Sequence, residues 1–413
     1  MQGRGCRHCG GSIELVLADL GDMPVANDYV DPVGAPPVDA IVGLKVVVCS
    51  ECRLAQTIDH KDAADLFRDD YAYFSSTSQE WLEHARLYVD KMADRFGLEP
   101  GARHIEIASN DGYLLQYSMA RGLAAVGVEP CRSVADVAIA KGIETHVAFF
   151  GREYALEMVE RSGKADLITA NNVFAHVPDV NDFASGIYEL LNPDAVATVE
   201  VQHLLRLMER LQFDTIYHEH FSYYSLFAAM RVFVTAGLRV FDVEELTTHG
   251  GSLRYLVCRT DAAHRTTPAV QALLDEELAY GIDRDETYAQ WATRVRALRD
   301  EFRQMLRGLK GKGKSIAAYG APAKGTTLLN YCGIGPDIID FTVDRSVSKQ
   351  GRMIPGVRIP IRSPSAFDDT DPDYVVILPW NLKDEIVSDK SLWGAHPNTK
   401  FISAIPWPAI FAS

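Results

Sequence analysis

The stretch His104-Ile-Glu-Ile-Ala-Ser-Asn-Asp-Gly112 joins a short apolar strand to a turn of small and polar residues. A helical pattern over Tyr113–Arg121 follows the turn, and a second apolar strand over Ala124–Glu129 comes next. A turn of small residues after the first strand of an open parallel sheet allows the backbone to approach a ligand. Gly112 is the one glycine of this turn, and the absence of G-x-G-x-x-G argues against a nicotinamide dinucleotide.

The alternation of strand and helix continues along the chain. Further strands are predicted over Thr145–Phe149, Ala165–Asn171 and Val196–Val201, and a second series begins with the strand Ser315–Tyr319. Repeated strand–helix units predict a parallel, doubly wound sheet. Between the two series, residues 268–309 are charged and helical in pattern, which predicts a long hairpin or connector.

Two cysteine pairs, Cys6-x-x-Cys9 and Cys49-x-x-Cys52, mark the N-terminal region. Each pair fits two corners of a metal tetrahedron, so the four thiolates predict a closed structural zinc site. Two disulfides or a redox pair are the alternatives, but the other three cysteines are scattered, as in a reducing compartment. A four-sulfur site has no open coordination position, so the chemistry must lie elsewhere.

Composition excludes several classes of function. The chain has 413 residues, a formal charge of -15 at pH 7 and a sequence pI near 5.3. This charge argues against broad binding to nucleic acid or anionic membranes. A small anionic ligand stays possible, because it needs only a locally basic pocket or a helix N-terminus. Neither an N-terminal apolar core nor an apolar run of spanning length is seen, so we expect a cytoplasmic protein. A monomer is a separate expectation.

The segment Tyr217-His-Glu-His-Phe-Ser-Tyr-Tyr224 carries the densest set of reactive side chains. Two histidines, a carboxylate and three tyrosines within eight residues could move protons near neutral pH or stabilise an oxyanion. A metal site is the alternative reading, but His218-x-His220 has no matching ligand spacing nearby.

The segment Tyr319-Gly-Ala-Pro-Ala-Lys-Gly325 is a glycine-bounded loop between a predicted strand and a predicted helix. A loop of this kind with a lysine is a plausible phosphate cradle. It lacks the spacing of a Walker motif, so hydrolysis of ATP is not expected.

The first turn of the central region also resembles the S-adenosylmethionine turn of class I methyltransferases. An acidic residue, a small residue and a later glycine follow the same order, and Glu129 ends the second strand, where a carboxylate can accept hydrogen bonds from both ribose hydroxyls. A polar turn in an unrelated α/β protein is the alternative. The predicted cofactor-binding residues are Glu106, Ala108, Asn110, Gly112, Glu129, Asn171 and Asn172.

Taken together, these motifs resemble the sugar C-methyltransferases of deoxysugar biosynthesis, a family that includes tetronitrose 3-C-methyltransferases. The resemblance covers nearly the whole chain. Besides the four cysteines, it is carried by the segments 105–112, 171–176, 214–220, 250–254, 319–325, 343–345, 349–351 and 377–381.

The resemblance implies a cofactor, a metal and an acceptor. It implies S-adenosylmethionine, a structural Zn²⁺ and a nucleotide-linked, usually dTDP-linked, 4-keto sugar held between the central and C-terminal regions. Methylation at C3 is expected, with C5 as the alternative, since both carbons lie next to a C4 ketone. A non-catalytic sugar-nucleotide binding module is the alternative from another class, although such a module needs no base.

The resemblance also implies roles for individual residues. His220 matches the base, and Tyr217, Glu219 and His176 match residues around the reacting sugar. Tyr71 matches a tyrosine contributed by the segment after the zinc lobe. The predicted substrate contacts are Tyr73, Ser75, Tyr224, Lys324 and Arg345.

We therefore predict an α/β protein with a class I methyltransferase (Rossmann-like) core, an N-terminal zinc lobe and a C-terminal Rossmann-like domain. The predicted segments are a zinc lobe over 1–65, an S-adenosylmethionine-dependent domain over 66–265, a helical connector over 266–310 and an α/β domain over 311–413.

Overall fold

The computed structural model describes residues 5–34, 39–58, 74–77 and 79–412, and strands within these ranges form three sheets. The first sheet is antiparallel and begins in the N-terminal region. Its strands, in spatial order, are β1 (Leu15–Met23), β2 (Val42–Val48), β3 (Ala55–Thr57) and β9 (Ser222–Tyr223).

Strand β9 joins the N-terminal sheet from a distant part of the chain. It comes from the central region and pairs with β3 through Ala55 opposite Tyr223 and Gln56 opposite Ser222. An open strand edge leaves backbone N–H and C=O groups without partners, and β9 supplies them here. The predicted boundary at residue 65 lies outside the described residues, and the other predicted boundaries stay predictions.

The central sheet has the spatial order β10-β11-β8-β7-β4-β5-β6. Strands β4, β5, β6, β7 and β8 are parallel, whereas β11 is antiparallel to both of its neighbours, so the sheet is mixed. The strand order reverses on either side of β4, which opens a crevice at the carboxyl ends of the strands. The bounds are β4 Arg103–Ile107, β5 Ala124–Val128, β6 Glu144–His146, β7 Ala165–Asn171, β8 Leu191–Gln202, β10 Leu238–Leu246 and β11 Ser252–Arg259.

Helices cover both faces of the central sheet, as doubly wound sheets require. Capping side chains begin two of them, since Asp179 accepts hydrogen bonds from the N–H groups of Asn181 and Asp182, and Ser225 accepts one from Ala228. The bounds are α1 Gln79–Phe96, α2 Leu115–Ala120, α3 Arg132–Ala140, α4 Arg152–Ser162, α5 Val180–Leu190, α6 Leu204–Glu209 and α7 Leu226–Thr235.

The predicted helical connector consists of α8 (Pro268–Tyr280) and the long α9 (Asp285–Gly311). Gly281 ends α8 in the left-handed conformation, with φ of 100°. Apolar residues of α9, including Trp291 and Phe302, belong to one core with the N-terminal and C-terminal sheets. The connector therefore packs those two sheets together.

The C-terminal sheet has the order β14-β13-β12-β15-β16-β17, which again reverses beside its first strand. All its pairs are parallel except that of β17, and β13 pairs with both of its neighbours through Thr342 and Val343. Within the described ranges, no helix is long and apolar enough to cross a membrane. The bounds are β12 Ile316–Tyr319, β13 Thr342–Val343, β14 Ile361–Arg362, β15 Tyr374–Ile377, β16 Lys400–Ser403, β17 Ala409–Phe411, α10 Ala323–Cys332, α11 Lys383–Ser388 and α12 Lys390–Trp393.

Candidate active site

The four predicted metal ligands come together. The sulfurs of Cys6, Cys9, Cys49 and Cys52 all lie within 4.8 Å of one another, and the Cys6–Cys52 and Cys9–Cys49 sulfurs are each 3.5 Å apart. A tetrahedral zinc with bonds of about 2.3 Å places neighbouring sulfurs about 3.8 Å apart, so the four side chains fit the ion. No other histidine, cysteine or carboxylate is part of this group in the described ranges, which makes the site structural.

The turn after β4 is shaped to present backbone to a ligand. Ala108, Asn110 and Gly112 have φ values of 56°, 50° and 76°. A Cβ on Gly112 would lie 2.3 Å from the Cδ1 of Ile143, so this position accepts only glycine. Two non-glycine residues in the left-handed region store strain, a feature that concentrates at functional sites.

Polar groups meet at the carboxyl ends of β4, β5 and β7. The carboxylate of Glu129 accepts hydrogen bonds from the N–H groups of Asn110 (2.9 Å) and Cys131 (2.8 Å). Asn171 ends β7, and its buried Oδ1 has no hydrogen-bond partner among the described residues. Asn172 follows with φ of 53°, and its N–H donates to Glu200. These predicted cofactor residues lie along one edge of the sheet.

Glu106 lies inside this edge. Its side chain is buried, and neither carboxylate oxygen accepts a hydrogen bond that meets normal geometry within the described part of the chain. Burial raises the pKa of Glu106 well above its ordinary value, a hydrogen bond with the side chain of Tyr113 opposes this rise, and the neighbouring carboxylates of Glu129 and Asp111 add to it. Such a buried acid can accept or donate a hydrogen bond with a bound molecule.

The backbone of Ser75 contacts this cofactor turn. Its N–H donates to the Oδ1 of Asn110 at 2.9 Å, and Ser76 donates to Asp111. The role of the Ser75 side chain as a substrate contact stays a prediction. Tyr71 and Tyr73 lie outside the described residues.

The proposed base is held in one orientation. Nδ1 of His220 lies 2.9 Å from the carbonyl oxygen of Thr215. A carbonyl can only accept, so Nδ1 carries the proton and Nε2 keeps the lone pair. Burial lowers the pKa of His220 well below its ordinary value, and the nearby imidazoles of His176 and His249 add to the effect. At neutral pH the imidazole is therefore uncharged and able to accept a proton.

His176 repeats this arrangement beside His220. Its Nδ1 donates to the carbonyl of Glu219 at 2.6 Å, and the two imidazole centroids are 4.8 Å apart. Burial lowers the pKa of His176 to about 4. Neutral His176 with its proton on Nδ1 has no donor at Nε2, so Tyr217, whose ring centroid is 4.0 Å from that of His220, is the better donor to an oxyanion.

Two residues of the N-terminal region make hydrogen bonds to the segment Tyr217–Tyr224. Thr57 donates from its hydroxyl to the carbonyl of His220 at 3.3 Å, and Asn27 donates to the carboxylate of Glu219 at 3.1 Å. The ring of His218 points elsewhere, with Nε2 lying 3.2 Å from the carbonyl of Val42. His218 and His220 therefore do not form a metal-binding pair.

Tyr224 packs in the core beneath the site. Its side chain is fully buried, its ring stacks on Phe174 with centroids 4.1 Å apart, and its hydroxyl donates to the carbonyl of Phe174 at 3.2 Å. Its role as a substrate contact stays a prediction.

Lys324 and Arg345 take separate positions. Lys324 is the second residue of α10; its Nζ lies 4.3 Å from the ring centroid of Trp380 and donates to Asn381. Burial lowers the pKa of Lys324 to about 8, while the carboxylate of Asp214 opposes this fall. Arg345 is exposed and pairs with Asp389 at 2.7 Å, and within the described ranges it makes no hydrogen bond to the loop of Lys324.

Three residues outside the predicted site set interact with it: Asp214, Trp380 and His249. Asp214 is fully buried and accepts a hydrogen bond from the indole of Trp380 at 2.7 Å. Desolvation of the imidazole and the charge of Lys324 lower the pKa of His249 to about 4, although the residue as a whole is exposed. The two glycines that follow His249 were the available signal in the sequence.

Comparison with known proteins agrees with this architecture. Three family models match in sequence: "Putative zinc binding domain" over residues 6–67, "Methyltransferase domain" over residues 80–243 and "C-methyltransferase C-terminal domain" over residues 247–406. C-methyltransferase NovU of Streptomyces niveus is 38% identical over 408 residues, which cover 99% of this chain and 97% of that protein.

Solved structures match the chain over about half its length. An S-adenosylmethionine-dependent methyltransferase from Mesorhizobium loti is 13% identical, covers 43% of this chain and 100% of its own, and gives a TM-score of 0.34. Magnesium protoporphyrin IX methyltransferase from Synechocystis PCC 6803 is 12% identical, covers 48% and 91%, and gives a TM-score of 0.35.

S-adenosylmethionine is accordingly the cofactor of the central sheet, and zinc is the metal of the four cysteines. The order of the three matched regions and the match to NovU over nearly the full length show that this chain belongs to the C-methyltransferase family.

Proposed function

We propose that this enzyme methylates a carbon next to the ketone of a nucleotide-linked 4-keto-deoxysugar, with a dTDP-linked sugar as substrate and C3 as the methylated carbon. The fixed orientation of His220 carries the proposal, because its Nδ1–H is held by Thr215 and its Nε2 is left as a base. Carbon becomes a nucleophile only after a proton leaves, whereas oxygen and nitrogen acceptors need no enolate.

The first step is proton removal. Nε2 of His220 takes the proton from the carbon next to the C4 ketone, and the C–H electron pair forms the double bond of an enolate. Negative charge then gathers on O4 of the sugar. The lowered pKa of His220 supports this role, since it keeps the imidazole neutral before the reaction at neutral pH.

Tyr217 stabilises the charge that develops on O4. Its ring lies beside that of His220, so one sugar can meet both side chains. A preorganised hydroxyl donor aimed at a developing oxyanion acts mainly in the transition state. Glu219, anchored by Asn27, and His176, anchored to the backbone of Glu219, keep the segment in place.

The residues at the carboxyl ends of β4, β5 and β7 would hold the cofactor, with Glu129 toward the ribose and Asn171 toward the methionine part. S-adenosylmethionine, when bound, supplies an electrophilic methyl group on a sulfonium ion. The task of the chain is to align this group with the enolate carbon, since positioning provides much of the rate in such transfers.

The loop after β12 would hold the nucleotide diphosphate. Lys324 has a pKa of about 8, so at neutral pH most of the side chain is protonated and suited to an anion. The loop carries no acidic residue between Tyr319 and Gly325. The identity of the nucleotide rests on the resemblance to the sugar C-methyltransferases.

The test uses S-adenosylmethionine with a ¹³C-labelled methyl group and a panel of dTDP-linked 4-keto-6-deoxy sugars. Carbon–proton correlation spectra of the products locate the new methyl. A methyl on C3 is the expected result, and a methyl on C5 would keep the enolate step and change the regiochemistry.

Other outcomes would contradict the proposal. A methyl on oxygen or nitrogen would remove the need for His220 as a base. Tight binding of the sugar nucleotides without transfer, while S-adenosylmethionine is bound, would identify a binding module and not an enzyme of this substrate class.

A further inference from the structure

Three consecutive residues just before the segment Tyr217–Tyr224 each make a hydrogen bond to a different partner. They are Asp214, Thr215 and Ile216. Asp214 accepts a hydrogen bond from Nε1 of Trp380 at 2.7 Å, and the carbonyl of Ile216 accepts one from the hydroxyl of Thr327 at 2.9 Å. Between them, the carbonyl of Thr215 accepts the Nδ1–H of His220. The peptide group that orients the base is therefore flanked by two hydrogen bonds.

Both flanking bonds come from the C-terminal sheet region. Thr327 lies on α10, and Trp380 lies in the turn Trp380–Leu382 after β15. The same helix and turn carry Lys324 and Asn381, which bond to each other. Helix α10 and the turn Trp380–Leu382 thus contact the residues that precede His220, and α10 also carries Lys324, the lysine proposed to bind the diphosphate.

The hydrogen bonds from Trp380 to Asp214 and from Thr327 to Ile216 both lie in the protein interior. Asp214 and Thr327 are no more than 1% exposed, and Trp380 is 8% exposed. The carboxylate of Asp214 takes the indole N–H as its side-chain donor and also accepts from the backbone N–H groups of Asp214 and Thr215, which connects the indole to the backbone of Thr215. A buried acceptor that loses its donor is costly, and the local backbone is expected to move in response.

The ring of Trp380 is also fixed on its other side. A Cβ on Gly250 would lie 2.4 Å from Cη2 of Trp380, so the indole packs directly against the turn between β10 and β11. The glycine permits this close approach. Trp380 is therefore clamped between the central sheet, Lys324 and Asp214.

We propose that Trp380 and Asp214 are positioning residues that hold the base His220 in its reactive tautomer and orientation. The inference rests on the proposed function in that His220 is taken as the base. It adds a second task to the C-terminal region, which sets the geometry of proton removal in the central region as well as holding the substrate.

The first test is Trp380→Phe, which keeps an aromatic ring and removes the N–H donor together with part of the indole's packing surface, a loss of volume that the control variant shares. We expect kcat to fall roughly 10- to 100-fold, because small displacements of a catalytic group have effects of this size. The KM for the acceptor and the Kd of S-adenosylmethionine should change by less than about threefold, because neither contact is removed.

Trp393→Phe is the matched control. Trp393 is 6% exposed, lies in the same region and donates from its indole to the carbonyl of Ile386 at 2.6 Å. This variant loses the same chemical group away from the catalytic segment, so its kcat should stay within about twofold of the wild type. Equal kcat in the two variants would overturn the proposal.

Two further variants separate positioning from folding. Asp214→Asn keeps an oxygen acceptor for the indole, whereas Asp214→Ala removes it, so we expect the asparagine variant to retain clearly more activity. If Trp380→Phe does not fold, Thr327→Val tests the second hydrogen bond with a side chain of the same shape. A Thr327→Val enzyme with unchanged kcat and unchanged tautomer would then count against the proposal.

The direct readout is the tautomer of His220. The chain has 12 histidines, and long-range ¹H–¹⁵N spectra of ¹⁵N-histidine protein distinguish Nδ1–H from Nε2–H, with His220→Asn identifying the resonance. We expect a single Nδ1–H form in the wild type and a mixture or broadening in Trp380→Phe.

An unchanged tautomer in Trp380→Phe would overturn the positioning role. This measurement needs neither acceptor nor turnover. A wild-type enzyme that methylates no sugar in the panel would defeat the proposed function while the spectra still decide this inference.

Discussion

In the central sheet, the carboxylate after the second strand, Glu129, accepts hydrogen bonds from Asn110 in the first turn and from Cys131 two residues on. In the C-terminal sheet, Asp344 after the second strand β13 accepts from Ala321 in the first loop (2.7 Å) and from Ser346 two residues on (2.8 Å). Both sheets thus fix the ligand-facing loop with a carboxylate on the neighbouring strand.

The charge of the two loops differs. The central turn contains Glu106 and Asp111 and no basic residue, whereas the C-terminal loop contains Lys324 and no acidic residue. Lys349 adds a second ammonium group to the C-terminal loop by donating to the carbonyl of Ala321 at 3.0 Å. One backbone arrangement has therefore been fitted to two ligands of opposite charge, a sulfonium cation and, as proposed, an anionic nucleotide diphosphate.

The largest effect is expected at the proposed base, His220. His220→Asn should lower methyl transfer by roughly 10³- to 10⁴-fold, because a general base is lost. The Kd of S-adenosylmethionine, measured by calorimetry, should change only a few-fold, because His220 is not one of the cofactor residues at the carboxyl ends of β4, β5 and β7. Near-normal turnover would remove His220 from the role of base.

The next effect concerns the oxyanion. Tyr217→Phe should lower kcat by roughly 10²- to 10³-fold, as loss of an oxyanion donor does. Single-turnover measurements check that the chemical step is affected. A loss of less than about tenfold would show that Tyr217 only packs against His220.

Two substitutions test whether the central sheet and the C-terminal loop after β12 bind different ligands. Glu129→Gln should raise the Kd of S-adenosylmethionine roughly 10- to 100-fold and leave acceptor binding unchanged, because hydrogen bonds to charged groups contribute about 1.5–3 kcal/mol. Lys324→Met should do the reverse, raising the KM of the acceptor over a similar range.

Exposed residues supply the controls for this pair. Glu160→Gln and Lys312→Met make the same changes on the surface and should alter neither constant. A Lys324→Met enzyme that loses affinity for the cofactor instead would contradict the assignment of the cofactor to the central sheet and of the acceptor to the C-terminal loop.

The smallest effect is a pH dependence. Burial lowers the pKa of Lys324 to about 8, and the facing groups are Asp214, whose pKa burial raises to about 6, and His249, at about 4. As the pH rises through 8, Lys324 loses its charge while Asp214 keeps its own, so acceptor affinity falls. The KM should rise about threefold to fivefold between pH 7 and 8.5.

Lys324→Arg provides the check, since a guanidinium stays charged over this range and should flatten the profile. An unchanged rise of KM in Lys324→Arg would assign the titration to another group.

Much of the site was predictable because its signals are local. The cysteine spacing, the turn Glu106–Gly112 and the segment Tyr217–Tyr224 each concentrate their chemistry within a few residues. Helical spacing is local in the same way, and the α1 residues Tyr88 and Met92, four apart in sequence, are both buried on one face. The roles of Tyr71 and Tyr73 stay predictions.

The contacts of Ser75 and Tyr224 could not be predicted from sequence. The N–H of Ser75 bonds to the cofactor turn, and the ring of Tyr224 stacks in the core. Neighbouring residues of a strand or turn point in different directions, so proximity along the chain does not decide what a side chain contacts.

The sequence by itself determined the strand–turn–helix series, the metal ligands and the residue types of the base and its neighbours, since these depend on short-range pattern. Only the tertiary structure decided the tautomer of His220, the addition of β9 to the N-terminal sheet and the bond between Trp380 and Asp214. That last pair is 166 residues apart. Contacts over such separations leave no local signature, because they depend on how whole sheets pack.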